Sequence, residues 1–150
     1  MATTQTRFSI GSISTGTLLT EDLLEAFSSE LERLDPSNLL LMEVSKLLGT
    51  GADSLDDDQE EQAGYLLDEI TDALNALCPP FVSFGAHPGD GADFGFWPDH
   101  NGLEDALMYG EFTGEEDTKF LPEDGVYVHI SDHGNIAVYD KDRNLLWDCV

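Results

Sequence analysis

The sequence predicts a single α+β domain over residues 1–150. Apolar residues recur at helical spacing in the first half, and short β-like runs alternate with turn residues in the second. A chain of 150 residues with 41% hydrophobic residues is long and apolar enough to bury one core. We therefore expect three N-terminal helices packed on a C-terminal antiparallel sheet, built from a hairpin and a three-stranded meander.

Two helices are predicted before residue 50. Thr20 is the expected N-cap of the first helix, because acidic residues follow it and leucines then repeat on one face. Asp35 is the expected cap of the second helix, with Pro36 at its first position and Gly49 at its end. The second helix is apolar around much of its girth and is predicted to be the most buried. Residues 7–15 are predicted to form an edge strand or an extended arm.

A third helix is predicted to follow the acidic stretch at residues 50–62, which begins as a loop and becomes the first turn. Pro79 and Pro80 end this helix. Its apolar stripe consists of Ala63, Leu66, Leu67, Ile70, Ala73, Leu74 and Leu77.

The second half predicts a sheet. Residues 81–97 suggest a hairpin around the turn-rich residues 87–91. Residues 101–109 suggest a short helix, and residues 111–124 an acidic connection. Three strands of a meander are expected between residue 126 and residue 149, with residues 132–135 as a turn that tolerates positive φ. The hairpin and the meander are expected to share one antiparallel sheet.

Two strings in this half, FGAHPGDGADFGFWPD and HISDHGNIAVYD, resemble segments of small uncharacterised proteins carried by phages and plasmids. The resemblance covers roughly the second half of the chain. It implies an accessory or counter-defence role and assigns no function to any residue.

The charge of the chain is strongly one-sided. Thirty-one carboxylates oppose six lysines and arginines, which gives a formal net charge of −25. Such a chain is repelled by nucleic acid and by anionic lipid and is attracted to cationic protein surfaces. Three explanations stay open at this point: a solvated face that maintains solubility, adaptation to a salty environment, or mimicry of a polyanion.

No motif assigns catalysis. The glycine-rich loop at residues 87–91 precedes a strand and lacks a lysine, so a hairpin turn explains it better than phosphate binding. His87, Asp90 and Asp93 are the candidate ligands of a metal-dependent enzyme, although their spacing matches no diagnostic motif. Residues 140–144 begin like a calcium loop, but the glycine and the final glutamate of that motif are missing. We therefore predict a protein that is not an enzyme, with no cofactor and no metal.

Cys78 and Cys149 are too few and too far apart to indicate a disulfide framework. Both are expected to be buried thiols in a reducing compartment. Neither a signal peptide nor a membrane span is visible, so a cytoplasmic protein without membrane contact is expected.

The third helix is predicted to carry an acidic face opposite its apolar stripe. A second acidic cluster lies in the connection at residues 111–124. Phe94, Trp97 and Tyr109 are candidate aromatic anchors, although the sheet core has an equal claim on the first two. The predicted partner-binding residues are Asp58, Glu61, Tyr65, Asp68, Glu69, Asp72, Glu115, Glu116 and Asp117.

These observations favour an acidic protein-binding module. Its predicted partner is a basic protein that handles nucleic acid, and its predicted role is that of a phage- or plasmid-borne inhibitor that mimics nucleic acid. The alternatives are a small metal-dependent enzyme at the loop containing His87, or a halophilic domain whose charge is environmental. The oligomeric state is not predicted.

Overall fold

The structure is a computed structural model that describes residues 8, 10–49 and 55–149. These residues form an α+β protein with four helices and two antiparallel sheets, which confirms the predicted fold class. The helices are α1 (Thr20–Leu34), α2 (Leu40–Leu48), α3 (Asp57–Leu77) and α4 (His100–Met108). The strands are β1 (Gly11–Ser14), β2 (Val82–His87), β3 (Asp90–Pro98), β4 (Glu111–Phe112), β5 (Thr118–Leu121), β6 (Val126–Ile130), β7 (Ile136–Tyr139) and β8 (Leu145–Cys149).

The chain divides into two compact units, which are described separately. The helical unit comprises Ser12–Cys78 and Phe84–Gly95, and contains α1, α2 and α3. The sheet unit comprises Met1–Gly11, Pro79–Ser83 and Phe96–Val150, and contains α4 and β4 to β8. That residues 1–150 behave as one domain stays a prediction.

Helix α3 follows the sequence prediction most closely. Asp56 caps it through a hydrogen bond that its Oδ1 accepts from the Gln59 N–H at 2.8 Å, and Gln59 Oε1 accepts from the Asp56 N–H at 3.0 Å. This reciprocal capping box satisfies two N–H groups that a helix start leaves unpaired. Its buried stripe consists of Ala63, Leu66, Ile70 and Leu74. No helix in the described part of the chain is long and apolar enough to cross a membrane.

Helix α1 buries the predicted leucine face, and its Phe27 ring packs edge-on against Phe84 (4.8 Å between centroids) and Phe94 (5.4 Å). Its start differs from the prediction. Thr20 is the first helical residue, and Leu19 holds the cap position without any side-chain hydrogen bond to the helix.

Helix α2 begins later than predicted because the residues before it form a separate turn. Asp35 ends α1, and its N–H donates to the Leu31 carbonyl at 2.7 Å. The Leu40 N–H donates to Asn38 Oδ1 at 3.0 Å, so an asparagine side chain starts this helix rather than the Asp35–Pro36 pair. The prediction that α2 is the most buried helix is wrong, because only Val44 and Leu47 are buried in it.

The first sheet has the order β1-β3-β2, so β1 and β2 are its outer strands. The strand at Gly11–Ser14 confirms the extended segment predicted within residues 7–15. Asn75 of α3 binds the backbone of β2 at Phe84: its Oδ1 accepts from the Phe84 N–H at 2.8 Å, and its Nδ2 donates to the Phe84 carbonyl at 3.0 Å. One side chain therefore satisfies both backbone groups of a residue in an outer strand.

The second sheet has the order β4-β5-β6-β7-β8 and lies in the sheet unit. The predicted meander is present as β6, β7 and β8. However, the prediction of one sheet shared by hairpin and meander is wrong, because β2 and β3 pair with β1 instead. Helix α4 and this sheet bury a core that consists of Leu103, Leu121, Val126, Val128, Ile136, Val138 and Trp147.

The predicted connection at residues 111–124 contains two strands, β4 and β5. Thr118 of β5 is buried opposite His129 of β6, with Thr118 Oγ1 3.0 Å from His129 Nδ1. This contact and a longer hydrogen bond from Thr118 Oγ1 to the Glu116 carbonyl (3.5 Å) satisfy a hydroxyl on a buried residue. A polar residue at a buried position is the reason that the alternating pattern of a strand is hard to see in this segment.

Candidate functional site

The solvent face of α3 carries the acidic residues that the sequence singled out. Asp58, Glu61, Tyr65, Asp68, Glu69 and Asp72 are all exposed. Their spacing of three and four residues places most of them in one row, which rises about 21 Å along the helix at about 1.5 Å per residue. The buried stripe of Ala63, Leu66, Ile70 and Leu74 holds this row toward solvent.

This row has no neutralising partner within the described residues. Helix α3 contains seven carboxylates and neither lysine nor arginine. The ion pairs found in the described part of the chain are Arg33 with Glu30, and Arg143 with Glu115, so neither involves α3. The negative field of α3 is therefore left for solvent, salt or a partner to neutralise.

The second predicted cluster lies in the turn between β4 and β5. Thr113 holds this turn, since its Oγ1 accepts from the Glu115 N–H at 3.2 Å and its hydroxyl donates to the Thr118 carbonyl at 3.3 Å. Glu115, Glu116 and Asp117 are all exposed. Asp117 has a φ of 62°, in the left-handed region that aspartate tolerates better than most residues.

Arg143 engages one member of this cluster. Its Nη1 lies 2.9 Å from Glu115 Oε2, and its guanidinium lies 3.8 Å from the centroid of the Tyr127 ring. The hydrogen bond to Glu115 raises the pKa of Arg143 above its ordinary value. Glu116 and Asp117 are thus the carboxylates of this turn with most of their charge left for a partner. The turn belongs to the sheet unit and α3 to the helical unit.

The hairpin loop shows turn chemistry. The Gly89 N–H donates to His87 Nδ1 at 2.9 Å, and the Ala92 N–H donates to Asp90 Oδ1 at 3.0 Å. Asp93 Oδ1 is buried without a hydrogen-bond partner among the described residues. Nowhere in the described ranges do three His, Cys, Asp or Glu side chains gather in a way that could hold a metal ion. The hypothesis of a metal-dependent enzyme at this loop gains no support.

The candidate aromatic anchors differ in exposure. Phe94 contacts Phe27 inside the helical unit, and Trp97 is half-buried. Tyr109 is 82% exposed. Tyr109 is therefore the candidate among these three that is placed to contact a partner, whereas Phe94 belongs to the packing between α1 and β3.

The sequence reasoning missed Phe112, which is 86% exposed in β4. Phe112 lines a cavity of about 410 Å³ in the sheet unit, together with apolar residues of α4 and β6. The signal in the sequence is a phenylalanine between Glu111 and Thr113, in an acidic segment that looks like a loop. Only the pairing of Phe112 with Lys119 across β4 and β5 shows where it lies.

The two cysteines are free and half-buried. Burial raises the pKa of the Cys78 thiol to about 11, and this thiol donates to the Leu74 carbonyl at 3.3 Å. A thiol with so high a pKa is a poor nucleophile at neutral pH. Cys78 is therefore a structural residue of the helical unit.

Comparison with protein-family models, with curated proteins and with solved structures finds no match to this chain. The function is accordingly inferred from the charges, contacts and exposure of its own residues. The acidic face of α3 is the feature with the clearest chemical meaning, because it combines several exposed carboxylates with a capped helix.

Proposed function

We propose that this chain is an acidic protein-binding module whose α3 face occupies the basic surface of a nucleic-acid-handling protein. The observation that carries the proposal is the row of exposed carboxylates on α3. No lysine or arginine among the described residues forms an ion pair with this row. Phosphates of a duplex strand recur about every 3.4 Å along the axis, so a rigid row of carboxylates presents a comparable track of negative charge. Such a track competes with nucleic acid for the same lysines and arginines.

The structure of α3 supports this role in a second way. Its capping box and buried stripe fix the helix before any partner arrives, so little ordering entropy remains to be lost on binding. Tyr65, 66% exposed within the row, adds an aromatic side chain of the kind that dominates interface energetics. Together with the resemblance of two strings in the second half to small proteins of phages and plasmids, this chemistry leads us to infer an inhibitor carried by a phage or plasmid.

The test is a charge reversal with a matched control. Asp68, Glu69 and Asp72 are changed together to lysine, and a control variant carries lysine at Glu104, Asp105 and Asp132, which are exposed in the sheet unit. Both variants change the net charge equally. Binding of the immobilised chain to a panel of purified basic DNA-binding proteins is then measured, with and without excess duplex DNA.

The α3 variant should lose binding by at least about tenfold, because each removed contact with a charged group contributes about 1.5–3 kcal/mol. The control variant should bind as the original chain does, and duplex DNA should displace the partner. Equal losses in both variants would show that only net charge matters. An unrelated basic protein, lysozyme, serves as a further control. If the chain binds lysozyme as tightly as the DNA-binding proteins, the mimicry proposal is wrong. Absence of all binding, with stability that rises steeply in molar KCl, would favour the halophilic explanation.

A further inference from the structure

Three large, exposed apolar side chains lie close together in the sequence of the sheet unit. Met108, Tyr109 and Phe112 are 75%, 82% and 86% exposed, and they lie within five residues between the end of α4 and β4. Single exposed apolar residues are common, but a group of aromatic and methionine side chains is typical of an interaction surface. Burial of this group by a partner would remove much apolar area from water.

A cavity of about 410 Å³ lies beside Phe112. Leu107, Val128 and Ile130 supply further apolar wall, and Glu115 and Asp117 place carboxylates in the lining. This volume is within the range of about 300–1000 Å³ that is usual for ligand sites in proteins. The cavity therefore suits an apolar group that is accompanied by positive charge.

A second cavity, of about 290 Å³, lies beside Tyr109. Leu121 contributes apolar wall, and Glu123 and Asp124 contribute carboxylates. The linings of the two cavities are similar in composition, since each combines one exposed aromatic residue, a buried or half-buried leucine and two acidic residues.

Gly110 lies between the residues that line the two cavities. A Cβ atom at Gly110 would lie 2.9 Å from Leu121 Cδ2 and 3.3 Å from Lys119 Cβ, so the backbone here packs directly on β5. Leu121 lines the smaller cavity and Lys119 the larger one. The absence of a side chain at Gly110 lets its backbone approach a lining residue of each cavity.

Among the described residues, Lys119 is the one cation that lines these two cavities, and its ammonium group is fixed by two contacts. Its Nζ donates to the Leu107 carbonyl at 3.0 Å and lies 4.9 Å from the centroid of the Phe112 ring. A hydrogen bond to a carbonyl and a cation–π contact both hold the ammonium group at the wall. Glu115 is already paired with Arg143, so Asp117, Glu123 and Asp124 are the carboxylates that outweigh the charge of Lys119 on this face.

We propose that this face, formed by the residues that line the two cavities together with Met108, docks a basic segment of a partner protein. An apolar side chain of that segment, flanked by lysine or arginine, enters the cavity beside Phe112. Lys119 and Leu121, which line the larger and the smaller cavity, are two residues apart on β5, so a polypeptide reaches both cavities, whereas a small cation fills one. The proposal goes beyond the function assigned to α3, because no residue of that helix takes part.

The first experiment is a titration of the full-length ¹⁵N-labelled chain, followed by NMR, with four nine-residue peptides. Each peptide has Leu, Met, Phe or Trp at its centre and Lys or Arg at all eight remaining positions. A fifth peptide has Ser at the centre. At least one apolar peptide should shift the amide signals of Phe112, Thr118 and Ile130. The serine peptide should bind at least about tenfold more weakly, because it cannot fill the cavity.

The second experiment compares two exposed apolar residues. Phe112→Ser should weaken the apolar peptide by at least about tenfold, whereas Leu39→Ser, at a residue 78% exposed in the helical unit, should leave the affinity unchanged. The proposal is wrong if the serine peptide binds equally well, if Phe112→Ser has no effect, or if no peptide binds at low salt. A benzylammonium ion that binds as tightly as the peptides would indicate a small-molecule site instead.

A last variant separates this proposal from the function assigned to α3. In the chain with Asp68, Glu69 and Asp72 changed to lysine, peptide shifts should persist at Phe112 and Ile130. If the peptide instead shifts the amide signals of α3 in the original chain, and these shifts vanish in the variant, the docking face is wrong. The α3 proposal then stands.

Discussion

The helical unit and the sheet unit differ in what surrounds their charged side chains. In the helical unit, α3 carries seven carboxylates and no cation, and its exposed row runs opposite a buried stripe. In the sheet unit, Lys119 and Arg143 each lie over an aromatic ring, and acidic residues surround exposed apolar side chains. The α3 row therefore presents mainly charge, with Tyr65 as its one large exposed apolar side chain, whereas the region around Phe112 combines charge with a larger apolar area.

This difference predicts two kinds of recognition. Attraction between exposed charges is screened beyond about 10 Å at 0.1 M salt, so contacts of α3 should weaken steeply as salt increases. Binding of a basic segment at Phe112 should also weaken with salt, but the part contributed by burial of Phe112 should remain, because the hydrophobic effect does not depend on screening. A salt titration of each binding reaction therefore distinguishes the two surfaces.

The largest expected effect concerns the cores of the two units. Ile70 is fully buried on α3, and its replacement by alanine should reduce the free energy of unfolding by about 2–5 kcal/mol through lost burial and a cavity. Thermal unfolding is followed by circular dichroism at 222 nm, which reports the helices, and by fluorescence of Trp97 and Trp147. We expect both signals to move to lower temperature together, since residues 1–150 are predicted to form one domain.

The matched variant is Val138→Ala, which removes buried volume from the sheet unit. It too should lower both signals together. If Ile70→Ala shifts only the helical signal, and Val138→Ala only the fluorescence, the two units unfold independently and the prediction of a single domain is wrong.

The second effect concerns the cysteines, one in each unit. With its pKa raised to about 11 against an ordinary value of 9.0, Cys78 in the native protein should react with iodoacetamide at pH 8 about 100-fold more slowly than in urea. The Cys149→Ser variant isolates this thiol, and mass spectrometry measures the rate. A native rate close to the rate in urea would show that Cys78 is not held in a desolvated site.

The raised pKa of Cys78 also predicts how the free energy of unfolding changes at high pH. Below pH 9 the Cys78 thiol keeps its proton in both the folded and the unfolded chain, so its contribution is constant. Between pH 9 and pH 11 the unfolded chain loses this proton while the folded chain retains it, so the free energy of unfolding falls. The Cys78→Ser variant should show a smaller loss of stability across this window.

The third effect compares helix starts. Asp56→Ala removes the capping box of α3 and should reduce the free energy of unfolding by about 1 kcal/mol. Asp99→Ala in the sheet unit, which removes the hydrogen bond from the Gly102 N–H to Asp99 Oδ1, should cost a similar amount. Gln62→Ala, at an exposed position of α3, serves as the control and should change little. Urea titration gives the three values, and an unchanged midpoint for Asp56→Ala would contradict the capping assignment.

The smallest effect tests the self-repulsion of the acidic row. Asp68 and Asp72 are one helical turn apart, and like charges at this spacing destabilise a helix by about 0.2–0.5 kcal/mol. Asp68→Asn should therefore raise the melting temperature slightly at low salt and reduce its increase with added KCl. A melting temperature that falls in this variant would mean that Asp68 makes a stabilising contact.

The parts of the fold that could be predicted are those set by residues close together in the sequence. Helix α3 was predicted correctly because its stripe and its proline stop lie within one segment of sequence, and its acidic first turn precedes them. Strand pairing is not local: the hairpin joins β1, from the start of the chain, rather than the meander. Strand β5 was missed because Thr118 becomes a buried residue only when His129 pairs opposite it.

The candidate sites were predictable to a similar degree. Exposure of Asp58, Glu61 and Asp72 follows from helical periodicity alone. The pairing of Glu115 with Arg143 joins residues 28 apart in sequence, and no local pattern indicates it. The apolar cavity beside Phe112 needs α4, β4 and β6 together, so sequence reasoning had no means of finding it.

The contact of Asn75 with Phe84 has a consequence for association between copies of this chain. An outer strand with unpaired backbone groups invites another strand to add to the sheet, which leads to aggregation. Asn75 occupies both backbone groups of Phe84 with its own amide, so an incoming strand finds this position of β2 already paired. A helix side chain thus blocks the addition of another strand at this position of β2.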